Sequence, residues 1–343
     1  MKVDANIGGQ VDGSDGGDLT GLVDQVSTAA RLGYHGVWST EVGRDPFLPP
    51  LVAAEHAPDL TVGTAVAVAF ARSPMTTASS AYDLQSFSRG RFVLGLGTQV
   101  KAHIERRYSM PWSQPAARMT EYIAALHAIW DSWETGERLD FEGDFYRHTL
   151  MTPMFTPAHH AWGRPPVMLA AVGPRMTEVA ASWADGLFVH GFTTERYLRE
   201  VTLPLVEKTL ADNGRERPAF TVAYPGMVAT GGTDEQIAEA VAAVRHQLAF
   251  YGATPAYRAV LDQHGWGGLH EELHRLSVRQ RWQDMDALVD DEVLNAFAVV
   301  GSPEEVAVEA RRRFSDVIDR FTLYTPYPLD AGARARVVAG LIA

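Results

Sequence analysis

The 343-residue chain contains no cysteine. That absence excludes disulfides, thiolate nucleophiles, iron–sulfur clusters and cysteine-based zinc sites. Positive charge is scarce: 30 Lys and Arg stand against 42 Asp and Glu, for a formal net charge of −12 and a pI near 5.4. A protein whose main partner is duplex nucleic acid carries a basic face, and this balance argues against one. Long apolar runs are missing as well. The longest, Val62 to Ala71, contains Gly63 and Thr64 and is too short to span a bilayer. The opening residues, MKVDANIGG, enter a strand-like pattern with no charged-then-apolar leader. These absences predict a cytoplasmic protein with neither membrane nor nucleic acid as partner. No repeat of solenoid period and no low-complexity tract occurs.

What the chain does have is alternation. Short apolar runs recur at Val3–Ile7, Gly36–Thr40, Leu60–Phe70, Phe92–Thr98, Pro166–Val172, Gly186–His190, Phe220–Val228 and Arg320–Tyr324. Most are continuously apolar, the pattern of strands buried on both faces of a parallel sheet. Helical periodicity lies between them, at Asp18–Leu32, Pro74–Phe87, Arg118–Trp130, Pro174–Trp183, Glu195–Asn213 and Asp234–Tyr251. Eight strands with intervening helices predict an α/β fold, a (β/α)8 TIM barrel, forming one domain over residues 1–343. Ser73-Pro74 and Ser302-Pro303 place an N-cap before a first-turn proline. Thr233 with Gln236, and Ser302 with Glu305, have capping-box spacing. Two stretches break the alternation and read as insertions, at about 131–165 and 253–298. The first contains RLDFEGDFYRHT, which predicts a hairpin around Glu142-Gly143-Asp144.

Three motifs invite over-reading. His270-Glu271-Glu272-Leu273-His274 matches H-E-x-x-H, which on a helix binds zinc and supplies a glutamate base. It lies in the second insertion with no third ligand at convincing spacing, so a surface helix with two exposed histidines is the simpler reading, and no metal site is expected. A zinc hydrolase is the alternative this motif carries. Asp12, Asp15 and Asp18 fail the EF-hand pattern, since Ser14 and Gly16 stand at ligand positions; a mobile loop ending in an Asp18 cap fits better. Gly95-Leu96-Gly97 follows a strand but is no dinucleotide fingerprint, because Val100 occupies the third glycine position.

In a TIM barrel the site lies at the C-terminal strand ends. There the strands deliver Asn6; Thr40 and Glu41; Ala65 to Phe70, then Arg72; Thr98 and Gln99; Val172, Gly173 and Arg175; His190 and Gly191; Tyr224; and Tyr324. The set is rich in neutral hydrogen-bonding groups, small residues and aromatics. It holds no nucleophile–base pair and no carboxylate–histidine cluster. That composition suits a planar cofactor that carries the chemistry itself. A barrel that binds a ligand without catalysis is the non-enzymatic alternative.

GTAVAVAFARSP followed by SRGRFVLGLGTQ resembles the third and fourth strand region of the bacterial luciferase-like monooxygenase superfamily. LAAVGPRMTEVAASWADGLFVHGF resembles the fifth and sixth strand region of its branch of coenzyme F420-dependent oxidoreductases. GVWSTE and RWQDM, then DDEVLNAFAVVGSPEEV, resemble the same branch. The resemblance implies hydride transfer between the deazaflavin F420 and a small organic substrate. FMN, in a monooxygenase, is the alternative cofactor. It also implies a homodimer and a non-prolyl cis peptide near Ala65-Val66 that backs the cofactor ring. Gly97, Thr98 and Gln99 would contact the cofactor. Ala171, Val172 and Gly173, at a helix start, would face its phosphate-bearing tail. Lys101, Arg106 and Arg175 would add positive charge for that tail. Glu41 and His190 are the candidate proton-transfer residues. Many relatives carry a histidine where this chain has Val42.

Overall fold

The computed structural model describes residues 1–8 and 19–343. The EF-hand-like aspartates and the Asp18 cap lie outside the described residues. Each of the eight apolar runs contributes a strand to the ring, and the third a further short one: β1 (Lys2–Ile7), β2 (Gly36–Ser39), β3 (Thr61–Thr64), β4 (Phe92–Gly97), β5 (Val167–Ala171), β6 (Gly186–Val189), β7 (Thr221–Ala229) and β8 (Arg320–Tyr324). Every strand pairs in parallel with its neighbours in order, and β8 returns to β1 through Lys2↔Arg320 and Val3↔Phe321. The ring is closed by these pairings, and a short extra strand, Ala298–Val300, pairs in parallel with the C-terminal end of β7. The barrel is a TIM barrel, as the alternation predicts.

The helices pack outside the ring. Pro74–Phe87 and Pro174–Trp183 have the limits the sequence predicts. Ser73 Oγ accepts from Thr76 N–H, and Ser302 forms a full capping box with Glu305. Thr233 also caps, but the Gln236 side chain reaches Gly232 N–H instead of Thr233 N–H, so that box is half formed. Helices Leu48–His56, Lys101–Arg106 and Ala331–Ile342 carry no periodicity long enough to stand out. The hairpin forms with Phe141 opposite His148 and Glu142 opposite Arg147. The run from Leu60 to Phe70 is not one strand. β3 stops at Thr64, the Ala65-Val66 peptide is cis, Ala67–Val68 pairs onward with β4, and a 3-10 turn follows.

Two features of the barrel interior place the site. Trp38 is almost fully buried and meets Phe188 edge-on, 5.2 Å between centroids. Its ring lies where a Cβ on Gly63 would stand, so that glycine makes room for it. Below Trp38, Asp4 is fully buried and accepts two hydrogen bonds from Arg320, at 2.7 and 2.6 Å, and one from Trp38 Nε1 at 3.0 Å. This trio ties β1, β2 and β8 together at the seam where the ring closes. Trp38 separates two cavities, of about 380 and 860 Å³. The smaller, at the N-terminal strand ends, is lined by Arg164, Asp185 and Arg320 among others.

Candidate active site

The larger cavity opens at the C-terminal strand ends, and its floor is Trp38 and Phe188. Its volume is that of a site holding a cofactor and a small molecule together. Asn6, Thr40, Gln99, Gln247, Thr254 and Thr322 supply neutral polar groups. No carboxylate lines it, and Lys101 is its one charged lining residue among the described residues.

One side is built by the break after β3. Ala65 N–H donates to Ser39 O at 2.7 Å, which holds the chain beside β2 while the cis peptide turns it. Gly97 sits against this turn: a Cβ there would lie 2.6 Å from Val66 Cγ2. A Cβ on Gly95 would collide with the Thr64 carbonyl and crowd the Phe188 ring. Both glycines of the G-x-G therefore make room for protein, the bulge after β3 and the barrel filling. After β4, Gln99 has φ of 58°, a left-handed conformation uncommon for a residue with a side chain, and its Oε1 accepts from Val100 N–H.

The next side is the loop after β5. Ala171, Val172 and Gly173 line the cavity, and Gly173 opens helix Pro174–Trp183 with no side-chain cap. Nothing lies within 4 Å of where a Gly173 Cβ would stand. A helix start that is uncapped, open and beside a cavity suits an anion.

His190, Tyr251, Tyr257 and Tyr324 form the third side. β6 and β8, which deliver His190 and Tyr324, flank the point of the ring opposite β3. The His190 ring stacks on Tyr257 at 4.3 Å and meets Tyr251 edge-on at 5.0 Å. Its Nδ1 accepts from Phe192 N–H at 3.0 Å, which puts the proton of the neutral ring on Nε2, 3.0 Å from the Tyr257 hydroxyl. Burial pushes the His190 pKa down to about 4, so the ring is neutral near pH 7. Burial also raises Tyr251, Tyr257 and Tyr324, Tyr257 to about 12.

Among the residues predicted from sequence, Ala65, Val66, Gly97, Thr98, Gln99, Lys101, Ala171, Val172, Gly173 and His190 meet at this cavity. Glu41, Arg106 and Arg175 are not part of its lining. The Glu41 carboxylate is buried behind the β3 break. It accepts from Val68 N–H at 2.7 Å, Arg72 Nη1 at 2.6 Å and the Tyr108 hydroxyl at 3.0 Å. Arg106 is exposed on helix Lys101–Arg106, and Arg175 is exposed on the first turn after Gly173. Lys101 stands 3.8 Å from Glu105. The sequence reading omits Tyr251 and Tyr257. Their signal is the aromatic spacing of FYGATPAY, where the helix after β7 runs into the second insertion.

The H-E-x-x-H helix has another task. His270 is buried and engages Gly252 O through Nδ1 at 2.7 Å; His274 engages Ala253 O at 3.0 Å. The pair is not exposed, contrary to the sequence reading. It closes the C-terminal end of helix Asp234–Gly252, whose last carbonyls need donors. Glu271 pairs with Arg258 and Glu272 with Arg275. Among the described residues no group of three His, Asp or Glu side chains is placed to hold a metal ion, and no helix is long and apolar enough to cross a membrane.

The sequence profile of the luciferase-like monooxygenases matches residues 3–320. The chain belongs to the luciferase-like monooxygenase family. Members of this family are oxidoreductases or monooxygenases. An uncharacterised protein of Mycobacterium tuberculosis is 51% identical over 311 residues, covering 91% of this chain and 92% of its own. A 5,10-methylenetetrahydromethanopterin reductase of Archaeoglobus fulgidus is 27% identical over 291 residues, covering 82% of each chain. The solved structure of the coenzyme F420-dependent tetrahydromethanopterin reductase from Methanopyrus kandleri superposes with a TM-score of 0.77, covering 99% of this chain and 96% of that one. At 18% identity that likeness is one of fold.

The histidines give a pH prediction. Burial holds both His190 and His127 down to about 4, against an ordinary value near 6.5. The unfolded chain therefore binds more protons between those values, and stability falls as pH drops from about 6.5 toward 4. Each group accounts for a loss on the order of 2–3 kcal/mol across the window. Urea unfolding at pH 7 and pH 5 reads it, and His190→Gln is expected to flatten the slope; equal slopes in both proteins would remove His190 from the account.

Proposed function

We propose that the protein is an F420-dependent oxidoreductase that exchanges a hydride with a small organic substrate. In this reading residues 1–343 are one luciferase-like barrel domain, with insertions at about 131–165 and 253–298. The observation that carries the proposal is the make-up of the larger cavity: wide, floored by aromatic rings, lined by neutral polar groups, and flanked by an uncapped helix start. Such a site holds no reacting side-chain pair of its own, so a bound cofactor must bring the reactivity. The fold this chain shares with the coenzyme F420-dependent reductase of M. kandleri supports a deazaflavin as the occupant.

The residues present fit such a group. Ala65 and Val66 would hold its ring side, with Gly97, Thr98 and Gln99 next to them. Ala171, Val172 and Gly173 would hold the anionic tail, with Lys101 at the rim and Arg175 on the first helical turn as nearby cations. When bound, the deazaflavin supplies a hydride donor or acceptor. Trp38 and Phe188 close the floor and exclude water from below. His190, neutral with its proton at Nε2, orients and polarises the Tyr257 hydroxyl, which is the group that would pass a proton to or from the substrate. Glu41 acts by position, fixing Val68 N–H and Arg72 behind the β3 break. FMN, with a shorter tail, is the other occupant to be tested.

Titration of the purified protein with F420 and with FMN, followed by fluorescence and by native mass spectrometry of the retained ligand, tests the proposal. F420 is expected to be retained and FMN to bind more weakly. Tight FMN binding without F420 binding would overturn it.

A further inference from the structure

We propose that Tyr251, Tyr257 and Tyr324 form a subsite for the oxygen of an uncharged carbonyl compound. The proposal deepens the oxidoreductase reading and rests on it for chemistry, but its evidence is a count of hydrogens on one cavity wall. A tyrosine hydroxyl carries one hydrogen and also accepts. Tyr251 and Tyr324 face each other at 2.9 Å, a bond that uses one of their two hydrogens. No acceptor for the other appears among the described residues. His190, its Nδ1 already engaged, directs Nε2–H at the Tyr257 oxygen. The Tyr257 hydrogen is then also without an acceptor among the described residues. Two hydroxyl donors therefore stand unused on a wall that lines the cavity, and among the described residues no lining carboxylate can take them.

A ligand oxygen that completes this wall must accept. A carbonyl oxygen has lone pairs for both hydrogens and brings no hydrogen of its own to be placed. A carboxylate would accept, but its burial beside aromatic rings with only Lys101 at the rim leaves the charge uncompensated. The nearby rings of Trp38 and Phe188 favour an apolar body on the same molecule. The second insertion supplies Tyr257, so this wall is built in part by a segment outside the barrel itself.

Acetophenone carrying a ¹³C=O label is the probe, with the full-length protein and infrared difference spectroscopy as readout. Saturable binding is expected, with the carbonyl stretch at lower frequency than in water. Tyr257→Phe is expected to lose part of that shift and to weaken binding roughly tenfold, the worth of one buried hydrogen bond. The variant in which Tyr251, Tyr257 and Tyr324 are all replaced by Phe keeps no hydroxyl on this wall and is expected to lose the whole shift. No saturable binding, an unshifted stretch, or a shift that survives in the triple variant overturns the proposal. Should the variants fail to fold, competition on the unaltered protein decides. Acetophenone is expected to bind more tightly than benzoate, and a reversed order overturns the proposal. The probe needs no cofactor. A shifted carbonyl with neither F420 nor FMN bound would sink the proposed function and leave the subsite standing; retained F420 with an unshifted carbonyl would do the reverse.

Discussion

Asp4→Ala is expected to lower the unfolding free energy by about 3–5 kcal/mol, measured by urea denaturation. The side chain is fully buried and Arg320 is nearly so. Removing the carboxylate leaves a guanidinium in the barrel with no counter-charge and takes the acceptor from Trp38 Nε1–H. Both penalties fall on groups largely withdrawn from water. The damage also falls where β8 meets β1, the last contact that closes the ring. The pair itself is worth much less than this loss, because burying two charges offsets most of their attraction. Asp4→Leu combined with Arg320→Met is therefore expected to be markedly more stable than Asp4→Ala alone. A single-variant loss below about 1 kcal/mol, the size seen for exposed pairs, would show that the trio is not desolvated as described.

Gly173→Glu is expected to weaken F420 binding by about 10- to 100-fold while the fold keeps its stability. The position separates the two effects well. Its Cβ enters open space, so no packing is disturbed, and its φ of −110° is ordinary for any residue. A carboxylate at a helix start is, if anything, favourable to the helix. In the proposed reading, the same carboxylate would oppose an anionic cofactor tail at the amides of this helix start. Screening makes the loss smaller at high salt, which gives an internal control. Gly173→Ala, which adds bulk without charge, is expected to change affinity by less than about threefold. Unchanged F420 affinity in Gly173→Glu across salt concentrations would move the tail elsewhere in the cavity.

The architecture was legible because its strands are buried on both faces. LGLG before Thr98 and LFV before His190 read as continuous apolar runs, short enough and regularly enough interleaved with helical patterns to mark interior parallel strands. Helix starts were legible where a short polar side chain and a proline coincide, as at Ser73 and Ser302. The break in β3 was legible only by resemblance. AVAVAF continues apolar through Ala65 and Val66, and nothing in its composition marks where the strand stops. The local character of a site residue was legible, but its partners were not. Glu41 meets Arg72 and Tyr108, 31 and 67 residues away, and these partners hold its carboxylate away from the cavity lining. His190 meets Tyr257, 67 residues on, inside a segment that carries no barrel periodicity. The two glycines of G-x-G show the same limit. Their spacing names no partner, and the space they leave belongs to Thr64, Val66 and Phe188.

Trp38 has a consequence for anyone who would redesign the protein. One indole is at once the floor of the larger cavity, the ceiling of the smaller one and a hydrogen-bond partner of the Asp4–Arg320 seam. Trimming it to admit a bulkier substrate would join the two cavities into a bore through the barrel and leave a buried aspartate short of a donor. Substrate range and structural integrity are thus locked together at the bottom of the pocket. They are decoupled at the top, where Thr254, Ala256 and Tyr257 line the cavity from outside the strand ring. New specificities are to be sought in that upper segment, with the floor left alone.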